Sequence, residues 1–331
     1  MECDRFDMNK VPRNCWLTWG WICALLLVPA AGLASDPERS YEVLYSTGFE
    51  ADEGYEVGSQ LAGVNDWVAA GSGGHGVLEK FFEGYGQQGF LGFNPPAPKD
   101  EFLNLWHPIG METVDPDHPV VRFYVLMQIV DSTNGEYDDF RWSVYNTDEE
   151  RLFTLDFDNS TLGISYVLDD GAGFVPTGLT YDTEGFYDLV VTMDFERNLW
   201  RASINDVSLV RDQPITTTGA RLTLGDINAV WAIRKPGEPG DNFLLFDNYE
   251  VIAWSRGPDQ PRLEMLGVED GIPLLRISGE EGVGYIVEAS TDLTKWKPLA
   301  EVVMPFGGVG DYEDLESKAS VHRFYRVREV P

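Results

Sequence analysis

The sequence predicts an all-β protein made of antiparallel sheets. Runs of four to eight residues rich in Val, Ile, Phe, Tyr and Trp recur between clusters of Gly, Asn, Asp and Pro, the pattern of strands joined by tight turns. Helical periodicity is not sustained over ten residues anywhere after the first 34. The 331 residues are enough for one large or two modest domains, each with a packed core.

In chain order, residues 1–34 come first. Lys10 and Arg13 precede an apolar run from Trp16 through Ala31, and Gly32-Leu33-Ala34 before Ser35 offers small residues for cleavage, which reads as a secretory signal peptide. Glu2, Asp4 and Asp7 fit such a segment poorly, whereas a start at Met8 gives it a basic beginning. If retained, the same run is long enough to anchor the chain in a bilayer, but Pro29 and the small-residue tail favour cleavage. The expected location is therefore secreted or cell-surface, with the periplasm also open, and no membrane span is expected after cleavage. Cys3, Cys15 and Cys23 all lie in this segment, so the rest of the chain has no disulfide.

The segment holds three basic and three acidic residues, so its loss leaves the net charge at −31. That field repels nucleic acid and anionic membranes, so nucleic-acid partners are disfavoured, and it favours solubility and cation binding.

The expected strands span 121–130, 140–145, 151–157, 163–168, 185–195, 200–204, 229–233 and 242–254. In one of them Tyr187, Leu189, Val191, Met193 and Phe195 alternate with residues that include Asp188, Thr192 and Asp194, so one face is core and the other partly wet. Asn134-Gly135, Asp169-Asp170-Gly171 and Glu196-Arg197-Asn198 supply turn chemistry for antiparallel hairpins. A Gly/Pro-containing stretch, 255–261, reads as a linker. After it, 262–331 is expected to form a second, smaller β-sandwich with strands over 262–268, 274–278, 285–290, 297–303 and 324–327.

Thr47-Gly48-Phe49-Glu50 with Gly54-Tyr55, then Val64-Asn65-Asp66-Trp67, and later Gly240-Asp241-Asn242-Phe243 running into Phe246-Asp247-Asn248, resemble the concanavalin-like (laminin-G-like) jelly-roll domains of exported bacterial proteins. The resemblance covers 41–254 and implies an antiparallel jelly-roll β-sandwich. The stretch from Tyr285 to Leu293, with Trp296 and Arg323-Phe324-Tyr325-Arg326, resembles a small fibronectin-type-III-like module found at the ends of exported proteins of Verrucomicrobia and related bacteria. Such modules accompany adhesive or carbohydrate-handling domains.

The jelly-roll resemblance implies a structural calcium site where a carboxylate on the first strand meets one on the last. Glu50 and Asp247 match those places, with Asp241 and Asn242 as weaker candidates; hard oxygen donors suit Ca²⁺. A second expectation is glycan binding, because sugar rings stack on aromatics while polar neighbours take the hydroxyls. By alternation Arg141, Ser143 and Tyr145 share a face opposite Phe140, Trp142 and Val144, and Asp156, Arg201 and Arg234 are expected to join Arg141 and Tyr145 from neighbouring strands.

Enzymatic readings find less. Glucanases of the resembling fold carry a Glu-x-Asp-x-Glu strand, whereas Asp148-Glu149-Glu150 and Asp156-Phe157-Asp158 lack that alternation and read as solvated turn acids. Lyases of that fold use Gln-Ile-His with a Tyr on a neighbouring strand. Gln128-Ile129 and Tyr145 match in part, but Val130 stands at the His position and moves no proton. His75, His107, His118 and His322 are scattered and read as surface or loop residues. The expected function is a non-catalytic carbohydrate-binding or surface-associated protein with a polysaccharide partner. A structural or adhesive scaffold and a polysaccharide-degrading enzyme are the alternatives.

Overall fold

Residue alternation between core and solvent organises every sheet of the computed structural model, which describes residues 41–255, 261–269, 271–280, 282–305, 308–319 and 323–330. The expected signal segment and most of the expected linker lie outside the described residues, as does His322.

Sixteen strands form the larger unit: β1 (Tyr41–Thr47), β2 (Val68–Ala70), β3 (His75–Glu79), β4 (Gln87–Gly92), β5 (Phe102–Trp106), β6 (Pro108–Met111), β7 (Val120–Val130), β8 (Asp139–Tyr145), β9 (Arg151–Asp158), β10 (Gly163–Leu168), β11 (Val175–Thr180), β12 (Tyr187–Asp194), β13 (Leu199–Ile204), β14 (Val207–Pro214), β15 (Leu224–Ala232) and β16 (Phe243–Trp254). The first sheet runs β14-β13-β12-β7-β16-β4-β3, with β1 also on β16. The second runs β11-β10-β9-β8-β15-β5-β2, with β6 also on β15. Because β7 and β8, β11 and β12, and β15 and β16 are consecutive yet lie in different sheets, the chain winds between the two layers as an antiparallel jelly roll.

The core fills the space between the layers. Phe123, Val125, Met127 and Ile129 of β7 point inward, as do Phe140, Trp142 and Val144 of β8, all at most 2% exposed. The Trp142 indole N–H donates to Met127 Sδ at 3.4 Å, and Phe153 of β9 stacks on Trp200 of β13 at 3.9 Å, tying one sheet to the other. Full burial of each such side chain contributes roughly 1.5–3 kcal/mol, far more than an exposed ion pair at about 0–1 kcal/mol. The core therefore holds the sandwich together, and the outer faces are free to carry other chemistry.

The segments that suggested a jelly roll meet in space. Phe49 packs on Tyr55, Trp67 and Phe246 with ring centres 5.4, 5.7 and 5.3 Å away. Strand β16 is shared: its first half pairs with β4 and its second half with β1. Its register against β7 breaks between Asp247 and Glu250, where Asn248 takes a left-handed φ of 50°.

Each strand expected in this part of the chain is present. The strand expected over 185–195 begins only at Tyr187, because Gly185 is part of a turn closed by its N–H to Asp182 O. Strands β1 to β6, β11 and β14 were not anticipated. Strand β11 contains Pro176 and Gly178 and is mostly exposed, and β1 is an exposed edge, so neither shows a clean hydrophobic period.

After β16 the chain forms a second, smaller sandwich from β17 (Arg262–Glu269), β18 (Ile272–Ser278), β19 (Gly284–Ser290), β20 (Lys297–Val303), β21 (Val309–Glu313) and β22 (Phe324–Glu329). Its two three-stranded sheets, β17-β18-β21 and β20-β19-β22, close on Leu275, Ile277, Tyr285 and Val287. Trp296 lies under the Arg326 guanidinium at 4.3 Å, and Arg326 also pairs with the buried Glu288 at 2.6 Å. Among the described residues no helix is long and apolar enough to cross a membrane.

Candidate functional site

The outer face of the second sheet collects the polar residues that alternation turns away from the core. Register places Arg141 opposite Asp156, Ser143 opposite Thr154, and Tyr145 opposite Arg151. On the other side of β8, Asp226, Asn228 and Val230 of β15 stand opposite Tyr145, Ser143 and Arg141.

Arg141 is the centre of this face. Its Nε donates to Asp156 Oδ1 at 2.6 Å, and Asp156 Oδ2 accepts from Ser165 Oγ at 3.4 Å. Burial raises the Asp156 carboxyl above its ordinary range while the Arg141 contact pulls it back. The same guanidinium lies 5.0 Å from the ring centre of Phe174 and 5.7 Å from that of Phe102, and these rings are 46% and 43% exposed. Phe102 comes from β5 and Phe174 from the turn before β11, so the two rings approach the cation from opposite sides in strand order.

Toward one end, Arg234 reaches Asp139 at 2.6 Å and Asp158 at 2.5 Å and donates to Ser160 Oγ at 2.8 Å. Burial pushes Asp139 up to about 6 despite the Arg234 contact. Toward the other end, Asn228 donates its amide to Asp226, whose carboxyl burial also raises to about 6, and burial raises the neighbouring Tyr145 phenol. Between them the Ser143 and Thr154 hydroxyls pair at 2.8 Å. The result is a row of donors and acceptors beside two exposed rings and three carboxylates with raised pKa, an arrangement concentrated at functional sites.

Of the five expected ligand-binding residues, Arg141, Tyr145, Asp156 and Arg234 lie along this face. Arg201 does not. It sits on β13 in the other sheet, pairing with Asp212 and with Glu280 of the second sandwich, each at 2.6 Å. Sequence alternation gives the parity of a residue but not the sheet that its strand joins, which is the reason for the error. Gln128 and Tyr145 also lie in different sheets, so the partial lyase pattern brings no pair together. His75 is half-buried within β3 rather than a surface or loop residue, whereas His107 does lie in the connection between β5 and β6, half-buried and stacked on Tyr45 at 3.5 Å.

Sequence reasoning missed Phe102 and Phe174. In Phe102-Leu103-Asn104-Leu105-Trp106 both faces read as largely apolar, and only the structure turns Leu103 and Leu105 inward. Phe174 follows Gly171-Ala172-Gly173, a turn with no period to read.

Glu50 and Asp247 meet on the first sheet, where β1 ends and β16 bulges. A β-carbon placed on Gly48 would lie 3.7 Å from Glu50 Cγ and 3.9 Å from Asp247 Oδ1, so the Glu50 methylene and the Asp247 carboxylate border this glycine. Glu50 Oε1 accepts from the Gln87 N–H at 3.1 Å and packs against Gly86, whose φ of 73° and absent side chain leave it room. Glu53 is occupied locally, its Oε2 accepting from Thr47 Oγ1 and from the Gly48 and Glu50 N–H groups at 2.9–3.0 Å. Asp247 is 1% exposed; its Oδ1 accepts from the Asn248 N–H at 2.7 Å, and its Oδ2 has no hydrogen-bond partner. Burial, with Glu50 and Glu53 nearby, pushes Asp247 up to about 7.

An orphaned buried carboxylate oxygen on Asp247, with the Glu50 charge near enough to raise its pKa, is the kind of oxygen donor that suits a hard cation. Glu50 also borders an open cavity of about 830 Å³. Among the described residues no group of three His, Cys, Asp or Glu side chains is placed to hold a metal. Asp241 is engaged elsewhere, accepting from Ser132 Oγ and from the Thr133 and Asn134 N–H groups, and the buried Asn242 bonds Asp138 main chain.

The fold and this face define an antiparallel jelly-roll β-sandwich with a polar, aromatic-flanked outer surface. No family model matches the chain, and no curated protein matches it. Among solved structures, 63% of the chain is similar to 18% of a sialidase, at TM-score 0.42 and 8% identity. It also resembles the cellulose induced protein Cip1 (TM-score 0.44, 10% identity, 62% of this chain and 96% of that one) and a Bacillus subtilis protein of galectin-like fold (0.41, 12%, 66% and 100%). These likenesses are too weak to transfer a role to any residue, and the fold class rests on the strand order.

Proposed function

We propose that this is an exported, non-catalytic glycan-binding protein that engages polysaccharide on the outer face of its second sheet. One observation carries the reading: the Arg141 guanidinium lies between two exposed rings, Phe102 and Phe174, beside a row of paired carboxylates, hydroxyls and amides. Rings offer a stacking surface for the apolar face of a sugar, and the polar row offers partners for its hydroxyls. Arg141 and Arg234 are outnumbered by Asp156, Asp139 and Asp158, so the face has no surplus positive charge for an anionic sugar and is suited to neutral, hydroxyl-rich chains.

Glu50 and Asp247 would hold a structural calcium ion that fixes the junction of β1 and β16. The second sandwich would serve as a fibronectin-type-III-like accessory module. The test is a glycan-array screen of residues 35–331 with calcium and with chelator. Retention of a neutral polysaccharide class that falls on Arg141→Ala or Tyr145→Ala substitution supports the reading. Silence across the array under both conditions overturns it in favour of a scaffold role.

A further inference from the structure

We infer that the opposite face of the same sandwich carries a second glycan site, so that one molecule bridges two polysaccharide chains. The class of ligand rests on the reading above; the location rests on separate observations. On the outer face of the first sheet, Tyr124 of β7 stands opposite Glu250 of β16, and Glu250 opposite Ser46 of β1. A cavity of about 250 Å³ opens there, lined by Ser46, Thr47, Gly48, Arg122, Tyr124, Asn248 and Glu250. Its size suits one sugar ring, and its hydroxyls, amide, guanidinium and carboxylate supply both donors and acceptors.

The charges in this cavity balance. The Arg122 guanidinium is 8% exposed, lies 5.2 Å from the Tyr124 ring centre and 3.5 Å from the Glu250 carboxylate. With no surplus positive charge in the cavity and a net −31 on the chain, an anionic ligand is disfavoured and a neutral one is not.

Aromatic surface continues from the cavity. Phe186 and Tyr85 are each 49% exposed, and both pack on the buried Phe82, at 5.0 and 6.4 Å between ring centres. Tyr124 links them to the cavity: its hydroxyl donates to Asp188 at 2.5 Å, two residues beyond Phe186. Burial and that carboxylate, with Tyr85 adding to them, hold the Tyr124 phenol above its ordinary range. A ring seated in the cavity would thus have a neighbouring sugar over Tyr85 and Phe186.

Sheets in a sandwich pack about 10 Å apart, so sites on the two outer faces belong to separate binding events. Two such events on one molecule cross-link chains and gain avidity without any new contact.

The experiment uses the full chain with galactomannan, xyloglucan and mixed-linkage β-glucan, reading retardation in affinity gels and light scattering of the mixtures. The wild type is expected to be retarded by at least one polysaccharide and to raise its scattering through cross-linking. The Tyr85→Ala/Phe186→Ala and the Phe102→Ala/Phe174→Ala variants are each expected to keep part of the retardation, about tenfold weaker, and to lose the scattering. Ser46→Trp fills the cavity without touching the rings and should behave like the first variant, which guards against a folding defect.

If Tyr85→Ala/Phe186→Ala and Ser46→Trp both bind and scatter like wild type, the second site is absent. The reading of the Arg141 face then stands or falls on Phe102→Ala/Phe174→Ala alone. Absence of retardation of the wild type by all three polysaccharides overturns both.

Discussion

Arg141 Nε lies 2.6 Å from Asp156 Oδ1, joining direct neighbours on β8 and β9 whose side chains are 21% and 7% exposed. Asp156 is the more deeply buried partner, so removing the arginine strands a carboxylate that burial already disfavours. Arg141→Ala is expected to cost about 3 kcal/mol of stability, the scale for breaking a buried pair from one side. Arg141→Met with Asp156→Leu removes both charges and should recover most of it. Urea unfolding of the two variants decides the matter: equal losses would mean that the two groups are not coupled.

Phe102 and Phe174 touch the Arg141 guanidinium yet leave nearly half of each ring in solvent. Either ring replaced by Ala should shift stability by no more than about 0.5 kcal/mol, as expected of a surface change. Loss of a stacking partner worth about 0.5–1.5 kcal/mol should still weaken polysaccharide binding roughly twofold to tenfold. Affinity gels beside thermal unfolding separate the two effects. Unchanged binding in both variants would remove the rings from the site.

The face was legible in the sequence only where parity sufficed. Arg141, Ser143 and Tyr145 alternate with Phe140, Trp142 and Val144, and the structure keeps that division. Strands β7, β8, β9 and β16 were readable for the same reason, being long and having apolar core-facing positions. Arg201 obeys the same parity but lies on β13, and nothing local says which layer a strand joins. The hairpin that joins β13 to β12, Leu189 opposite Ile204, is local, but the layer is chosen by the long-range pairing of β12 with β7, Leu189 opposite Val125. Edge strands such as β11 and the turn carrying Phe174 were hidden because solvent on both sides erases the period.

Glu50 and Asp247 make calcium dependence testable without any ligand. Asp247 Oδ2 is buried and without a hydrogen-bond partner, with Glu50 beside it. A cation bound there would stabilise the folded chain by about 2.7 kcal/mol at a hundredfold excess over its dissociation constant. Thermal unfolding should therefore shift upward with added calcium in the wild type and return with chelator. Asp247→Asn should abolish the calcium response. A response of the same size in that variant would place the ion elsewhere, and none in either would dismiss the site.

Asp226 carries the pH dependence that best separates binding from scaffolding. It is half-buried on β15, opposite Tyr145, with the Asn228 amide as its donor and Glu149 adding repulsion. Burial sets its carboxyl at about 6, against about 3.9 in an unfolded chain. The folded state therefore holds this proton more tightly. Its contribution to stability is fully present below pH ~4 and is lost as pH rises through about 6, for a total of roughly 2–3 kcal/mol. Asp226→Asn keeps an acceptor for Asn228 but cannot ionise, so it should be more stable than wild type at pH 7 and equal to it near pH 4. The difference between the two curves isolates Asp226 from Asp139, which also titrates near 6 on this face. Urea midpoints between pH 4 and 8 measure it, and a difference that does not change with pH would count against the assignment. A scaffold gains from this substitution and loses nothing. A glycan-binding face loses a charged acceptor, so the more stable variant should bind polysaccharide less well at pH 7, the opposite signs marking a carboxylate kept charged for a ligand.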